Sequence, residues 1–278
     1  MASQPARDFS ARSFAAGSIA GALGFFIGHP LDTMKVHSQL NKPMPMSLRV
    51  LFAGCTAPVT TAGLMTSINL GVYENTRRQL TAASRETPPL WCEGVAGTAG
   101  GLSIALFTSP INRIKVLQQL QADGGKGFWA TFRAAHRGGT LYSGFGMTAL
   151  FEASRGIYMI AYALLKTSLE RWEQQRQQQV DVVKHPRLPL WARSLAGAGA
   201  NVIVWSVMYP VDLVRSLQQA APADVRSKGP LELARSLVAE GGIKRLYRGY
   251  SATALRAGPV AGVVLPTFEL VLPWLERI

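Results

Sequence analysis

Three times in this chain a proline opens the same polar frame. The first is Pro30-Leu31-Asp32-Thr33-Met34-Lys35, closing at Gln39. The second is Pro110-Ile111-Asn112-Arg113-Ile114-Lys115, closing at Gln119, and the third Pro210-Val211-Asp212-Leu213-Val214-Arg215, closing at Gln219. Each reads as proline, a carboxylate or amide two residues on, a cation five on and glutamine nine on. Two further features keep the same register. Gly17/Gly21, Gly97/Gly101 and Gly197/Asn201 precede the prolines by 13 and 9 residues. Leu51-Phe52-Ala53-Gly54, Leu141-Tyr142-Ser143-Gly144 and Leu246-Tyr247-Arg248-Gly249 follow them. An internal repeat outranks other sequence signals, because each unit needs its neighbours to bury its apolar face. The expectation is three tandem two-helix repeats, 1–89, 90–189 and 190–278, arranged with pseudo-threefold symmetry as one domain.

Each repeat holds two apolar helical stretches, interrupted by Gly and Pro. Only 16% of residues are charged, against about 25% in a soluble domain. Membrane helices also tolerate Gly and Pro better than soluble ones. The reading is therefore an all-α membrane protein of six transmembrane helices. They run over about Ala11–His37, Cys55–Leu80, Trp91–Leu120, Phe145–Trp172, Leu190–Gln219 and Ser251 onward. The net charge of +13 collects in the connectors after each proline frame, which places those connectors on the inner side and suits a surface of anionic lipid. No nucleic-acid motif accompanies the charge. Cys55 and Cys92 form no CxxC pair, so neither a metal site nor a disulfide framework is expected. No Ser/His/Asp arrangement or phosphate loop points to an enzyme.

Pro30, Pro110 and Pro210 are expected to kink the odd helices, since proline removes a backbone hydrogen bond and crowds the preceding turn. Asp32 and Lys35 lie on one helical face, and ionisable groups at membrane depth should face the interior and pair. Short surface helices fit Phe128–His136 and Leu231–Ala239, and the first connector is too short for a comparable one. The helix-1 glycines read as packing positions. His37 reads as a solvated helix-end residue.

These frames resemble the signature of the mitochondrial carrier family, Pro-x-Asp/Glu-x-x-Lys/Arg followed by aromatic-Lys/Arg-Gly, from about Phe9 to Leu275. The resemblance implies a monomeric inner-membrane antiporter working by alternating access, without cofactor, its termini toward the intermembrane space. It implies a matrix gate of Asp32–Lys115, Asn112–Arg215 and Asp212–Lys35 above a glutamine brace, Gln39, Gln119 and Gln219. Asn112 departs from the pattern. The cytoplasmic gate would use Tyr73-Glu74-x-x-Arg77, Tyr162-Ala163-x-x-Lys166 and Phe268-Glu269-x-x-Leu272, with Lys166–Glu269 its intact pair. Two ion pairs against one imply a bias toward a closed matrix gate. Cardiolipin is implied near Tyr247, Arg248 and Gly249, and at Gly54 and Gly144 through backbone donors.

Counted from the aromatic-x-Gly glycines, the family's substrate contacts fall on Thr61, Phe151, Glu152 and Arg256, with Arg155 one turn past Phe151. An acid and an arginine on different helices would clasp a zwitterion, a guanidinium suiting a planar carboxylate. Glu152 and Arg155, three residues apart, fit a purely local pair as well. Gly28-His29-Pro30-Leu31-Asp32-Thr33-Met34-Lys35-Val36 is similar to the first signature of carnitine/acylcarnitine and ornithine/basic amino acid carriers, although Phe151 stands where those carry arginine. The implied cargo is an amino-acid-like or carnitine-like metabolite. A nucleotide or cofactor carrier (coenzyme A or S-adenosylmethionine type) and a non-transporting membrane scaffold are the alternatives.

Overall fold

The computed structural model describes residues 11–82, 89–120, 127–178, 190–220 and 229–276. The regular structure of the described residues is helical, with no strand among them. The helices are α1 (Ala11–Gln39), α2 (Leu48–Leu51), α3 (Thr56–Thr81), α4 (Leu90–Gln119), α5 (Phe128–Arg137), α6 (Phe145–Ala153), α7 (Arg155–Gln178), α8 (Leu190–Ala220), α9 (Pro230–Gly241), α10 (Ile243–Leu246) and α11 (Tyr250–Glu276). Among the described residues, Leu48–Thr81, Leu90–Gln119 and Ala196–Ala220 are long and apolar enough to cross a membrane. At 29, 24 and 27 residues, α1, α7 and α11 reach roughly 36–44 Å at 1.5 Å per residue, more than a ~30 Å hydrocarbon core.

Helices α1, α4 and α8 each run through their frame proline. The residue before each of these prolines, His29, Ser109 and Tyr209, is buried. The fourth long stretch departs from expectation. It divides at Ser154 into α6 and α7, where the Ser154 amide and hydroxyl both donate to Phe151 O, at 3.1 and 2.6 Å. A serine that bonds back to the preceding turn competes with the helix ladder and bends it. Beyond the break, α7 extends to Gln178, so the polar run after Trp172 prolongs the helix past the apolar span. In the first connector α2 has 4 residues, while α5 and α9 have 10 and 12, which follows the connector lengths. The additional short helix α10 has no counterpart in the sequence reading.

The chain forms two compact units. One comprises Met1–Ile68, Phe107–Phe145 and Leu213–Ile278; the other comprises Asn69–Leu106 and Gly146–Asp212. In the first, α1 packs along α11, and the connectors meet the ends of the odd helices in sequence. Gly54, Gly144 and Gly249 have φ of +79°, +77° and +86°. This left-handed turn admits glycine at no steric cost, which explains the invariant place of Gly in the three frames. A Cβ on Gly54 would stand 2.9 Å from Lys115 O at the end of α4. Next to Gly144, Ser143 Oγ donates to Gln218 O of α8 at 3.0 Å. In the third connector Arg245 donates to Gln39 O of α1 at 3.1 Å. Each connector thus touches the next odd helix, and the third returns to the first.

The second unit is held by close approach of backbones. A Cβ on Gly101 of α4 would lie 1.9 Å from Glu152 O of α6, and one on Gly97 would lie 2.9 Å from Arg155 O of α7. Small residues at such crossings let helices meet without a groove. The first repeat differs, since no described residue lies within 4 Å of a Cβ built on Gly17 or Gly21. The packing role expected of those two glycines is not borne out among the described residues.

Candidate functional site

In the first unit one carboxylate serves two cations. Asp32, one turn along α1 from Gly28, accepts from Lys115 Nζ of α4 at 2.8 Å. The Arg256 guanidinium of α11 lies 3.0 Å from its other oxygen. All three side chains are mostly buried, at 13% exposure for Asp32, 14% for Lys115 and 24% for Arg256. Glycine at position 28 makes this possible: a Cβ there would stand 3.1 Å from Cγ and Cδ of Arg256, so the arginine lies flat along α1 to reach Asp32. Sequence neighbours offered Arg256 no acid nearby. Its partner comes from a helix 224 positions away.

A hydrogen-bonded layer adjoins the triad. Gln119 Nε2 donates to Thr33 Oγ1 at 3.0 Å, and Thr33 Oγ1 donates to Leu51 O at 2.9 Å. His29 Nε2 donates to Ala53 O at 2.9 Å, while its ring stacks near Phe52. His37 is buried rather than solvated, its ring nitrogens 2.7 Å from Pro43 O and 2.9 Å from Gln119 O. It ties the end of α1 to its own connector and to α4, a role its place at a helix end did not reveal. Gln39, Gln219, Lys35 and Asp212 are buried as well. Arg113, which the sequence reading passed over, is buried beside the frame's Asn112. Asn112 and Arg215 are half-buried, and Thr61 turns its hydroxyl back onto Ala57 O at 2.7 Å.

The second unit holds the other predicted contacts. Glu152 is buried, and Arg155 Nε donates to it at 2.9 Å across the Ser154 break. The local pair is therefore formed, although Arg155 remains 46% exposed. Phe151 meets Trp205 of α8, ring centroids 5.4 Å apart. At the predicted cytoplasmic frame, Arg77 binds Glu74 on its own helix through two nitrogens at 3.1 and 3.2 Å. Lys166 of α7 approaches Glu170, one turn on, at 3.7 Å. Tyr162 stacks on Tyr158. Phe268 and Glu269 lie on α11, but their side chains fall outside the described residues.

At the predicted lipid positions, Tyr247 packs edge-on against Tyr250, and Arg248 is exposed. Burial, then neighbouring Arg248, lowers the pKa of Arg245. A cationic patch that disfavours its own charge gains by meeting an anion. Both cysteines are free thiols. Among the described residues no group of three His, Cys, Asp or Glu side chains could hold a metal ion.

Membrane-length helices and a mostly buried carboxylate shared by two cations of other helices suit a membrane transporter. Comparison with known proteins agrees. Residues 86–172 and 186–277 match the family described as mitochondrial carrier protein. The human mitochondrial carnitine/acylcarnitine carrier protein is 26% identical over 99% of this chain and 98% of its own length. The yeast (Saccharomyces cerevisiae) mitochondrial glycine transporter YMC1 is 25% identical over 92% of this chain and 89% of its own. Mitochondrial magnesium exporter 1 of Drosophila melanogaster is 28% identical over 93% of each. With both matched segments spanning well over half its length, the chain belongs to the mitochondrial carrier family, whose members are transporters rather than enzymes.

Proposed function

We propose that this protein exchanges a zwitterionic, amino-acid-like or carnitine-like metabolite across the mitochondrial inner membrane by alternating access. In this reading three repeats, 1–89, 90–189 and 190–278, form six spans kinked at Pro30, Pro110 and Pro210, with termini toward the intermembrane space. The matrix gate uses Asp32, Lys35, Asn112, Lys115, Asp212 and Arg215, braced by Gln39, Gln119 and Gln219. Cardiolipin is held at Gly54, Gly144 and Tyr247-Arg248-Gly249.

The observation that carries the reading is the shared Asp32 carboxylate. Lys115 alone can neutralise it, so Arg256 is the partner a solute carboxylate can claim without leaving a bare acid in the membrane. Glu152, buried and paired among the described residues with the exposed Arg155, is the acid proposed to take an ammonium group. Substrate capture of Arg256 would weaken the hold on the matrix gate. A ligand shifts a conformational equilibrium only through such differential contacts. Two of the relatives above carry zwitterions in their names, carnitine and glycine.

The test is exchange in liposomes preloaded with unlabelled solute. The panel is carnitine, glycine, ornithine, lysine, arginine, S-adenosylmethionine, ADP and malate, run beside Arg256→Ala and Glu152→Gln. Uptake of an amino-carboxylate, lost in both variants, is the expected result. Uptake of ADP or malate that ignores Glu152→Gln would overturn the zwitterion reading while leaving a carrier.

A further inference from the structure

We propose that Glu93 is a positioning residue of the cytoplasmic gate, a releasable anchor that holds the α3 frame while that side is open. Glu93 sits in the first turn of α4, outside every repeated frame. Its carboxylate nevertheless accepts the Tyr73 hydroxyl. Its other oxygen lies 4.0 Å from Arg77 Nη1. Arg77 is simultaneously forked onto Glu74, which Arg78 also reaches at 2.9 Å. Tyr73, Glu74 and Arg77 are the whole of the first cytoplasmic frame, and all of them are tied to α3 itself or to α4.

The backbones support this. A Cβ on Gly100 would lie 2.7 Å from Asn69 O and 3.2 Å from Tyr73 Cβ, so α3 and α4 are in close contact one helical stretch below the cluster. On α7 the residue at the acid position of the second frame is Ala163, which cannot pair with Arg77. Glu93 supplies the carboxylate that α7 lacks, but from the neighbouring odd helix. Lys166 is likewise engaged on its own helix, with Glu170. Within this unit, then, each frame cation is occupied locally, the arrangement expected of an open gate. Closing requires Tyr73 and Arg77 to leave Glu93.

A charge-assisted hydrogen bond made in one state and lost in the other biases the equilibrium toward the first. This inference rests on the alternating-access reading, and its test uses no solute, so it fails separately from the exchange assay.

The reporter is Ala163→Cys in a background carrying Cys55→Ser and Cys92→Ser, in nanodiscs. Its labelling by a water-soluble maleimide follows opening of the cytoplasmic side. Glu93→Gln and Tyr73→Phe are each expected to slow labelling about threefold or more, by shifting the population toward the closed gate. Glu93→Asp should restore most of the rate, and the double variant should add little to either single one. If Glu93 merely glues α3 to α4, its loss loosens the unit and labelling quickens. Faster labelling overturns the proposal, and so does an unchanged rate. Tyr73→Phe keeps the test decisive should Glu93→Gln fold poorly.

Discussion

Replacing Asp32 by Asn removes the one negative charge between Lys115 and Arg256 while keeping the shape of the side chain. Two contacts of 2.8 and 3.0 Å then become contacts of cations with a neutral amide. A unit-charge pair at such separation is worth about 4 kcal/mol at an effective dielectric of ~20. Desolvation takes back much of that gain, yet removing one partner of a buried pair still costs about 3–5 kcal/mol, because the other charge is left without compensation. Here two are left. For a chain of this length each kcal/mol moves the unfolding midpoint by roughly 2–4 °C, so a fall on the order of 10 °C is expected. Thermal unfolding in detergent measures it. Adding Lys115→Gln to Asp32→Asn should recover part of the loss, since contacting groups are not additive. A fall below about 2 °C, or two losses that simply sum, would refute the idea that Asp32 is the shared counter-ion.

Gly28→Ala should push Arg256 off α1 without touching Lys115. Exchange should fall with a raised KM, as in Arg256→Ala, while the midpoint drops less than for Asp32→Asn; equal drops would mean that α1–α11 packing itself is lost. Glu152→Gln should barely move the midpoint, because a pair with a half-exposed arginine is worth about 1 kcal/mol or less, yet it should abolish exchange of amino-carboxylates; parallel losses would argue for a structural role alone. Gly101→Ala should cost about 1–3 kcal/mol or more by overpacking against Glu152 O, whereas Gly21→Ala, with no described neighbour within 4 Å, should be close to neutral; unfolding midpoints of the two, side by side, decide.

Much of the fold was legible because it is written three times. The repeated Pro, acid, cation and Gln positions fall on helices that run through the proline, and the repeated Gly positions fall on left-handed turns that only the backbone of glycine enters freely. What the repeat could not show are features that occur once. The Ser154 break depends on a single hydroxyl competing for Phe151 O. The burial of His37 depends on where the first connector returns, at Pro43. The pairing of Arg256 with Asp32 joins the first helix to the last, beyond the reach of local patterning. Glu93 belongs to no frame, and a lone acid in a first helical turn reads as a macrodipole partner. Only Gly28, small where Arg256 must pass, hinted from the sequence at a close crossing.

The break at Ser154 turns one long rod into two shorter ones, and the Glu152–Arg155 clasp straddles the joint. Under the proposed role of Glu152, an ammonium group that took its carboxylate would first have to unfasten that clasp, so its arrival would also free the two rods to change their angle. The hinge and its lock are thus three residues of one chain segment, and anything that competes for the Glu152 carboxylate acts on the bend itself.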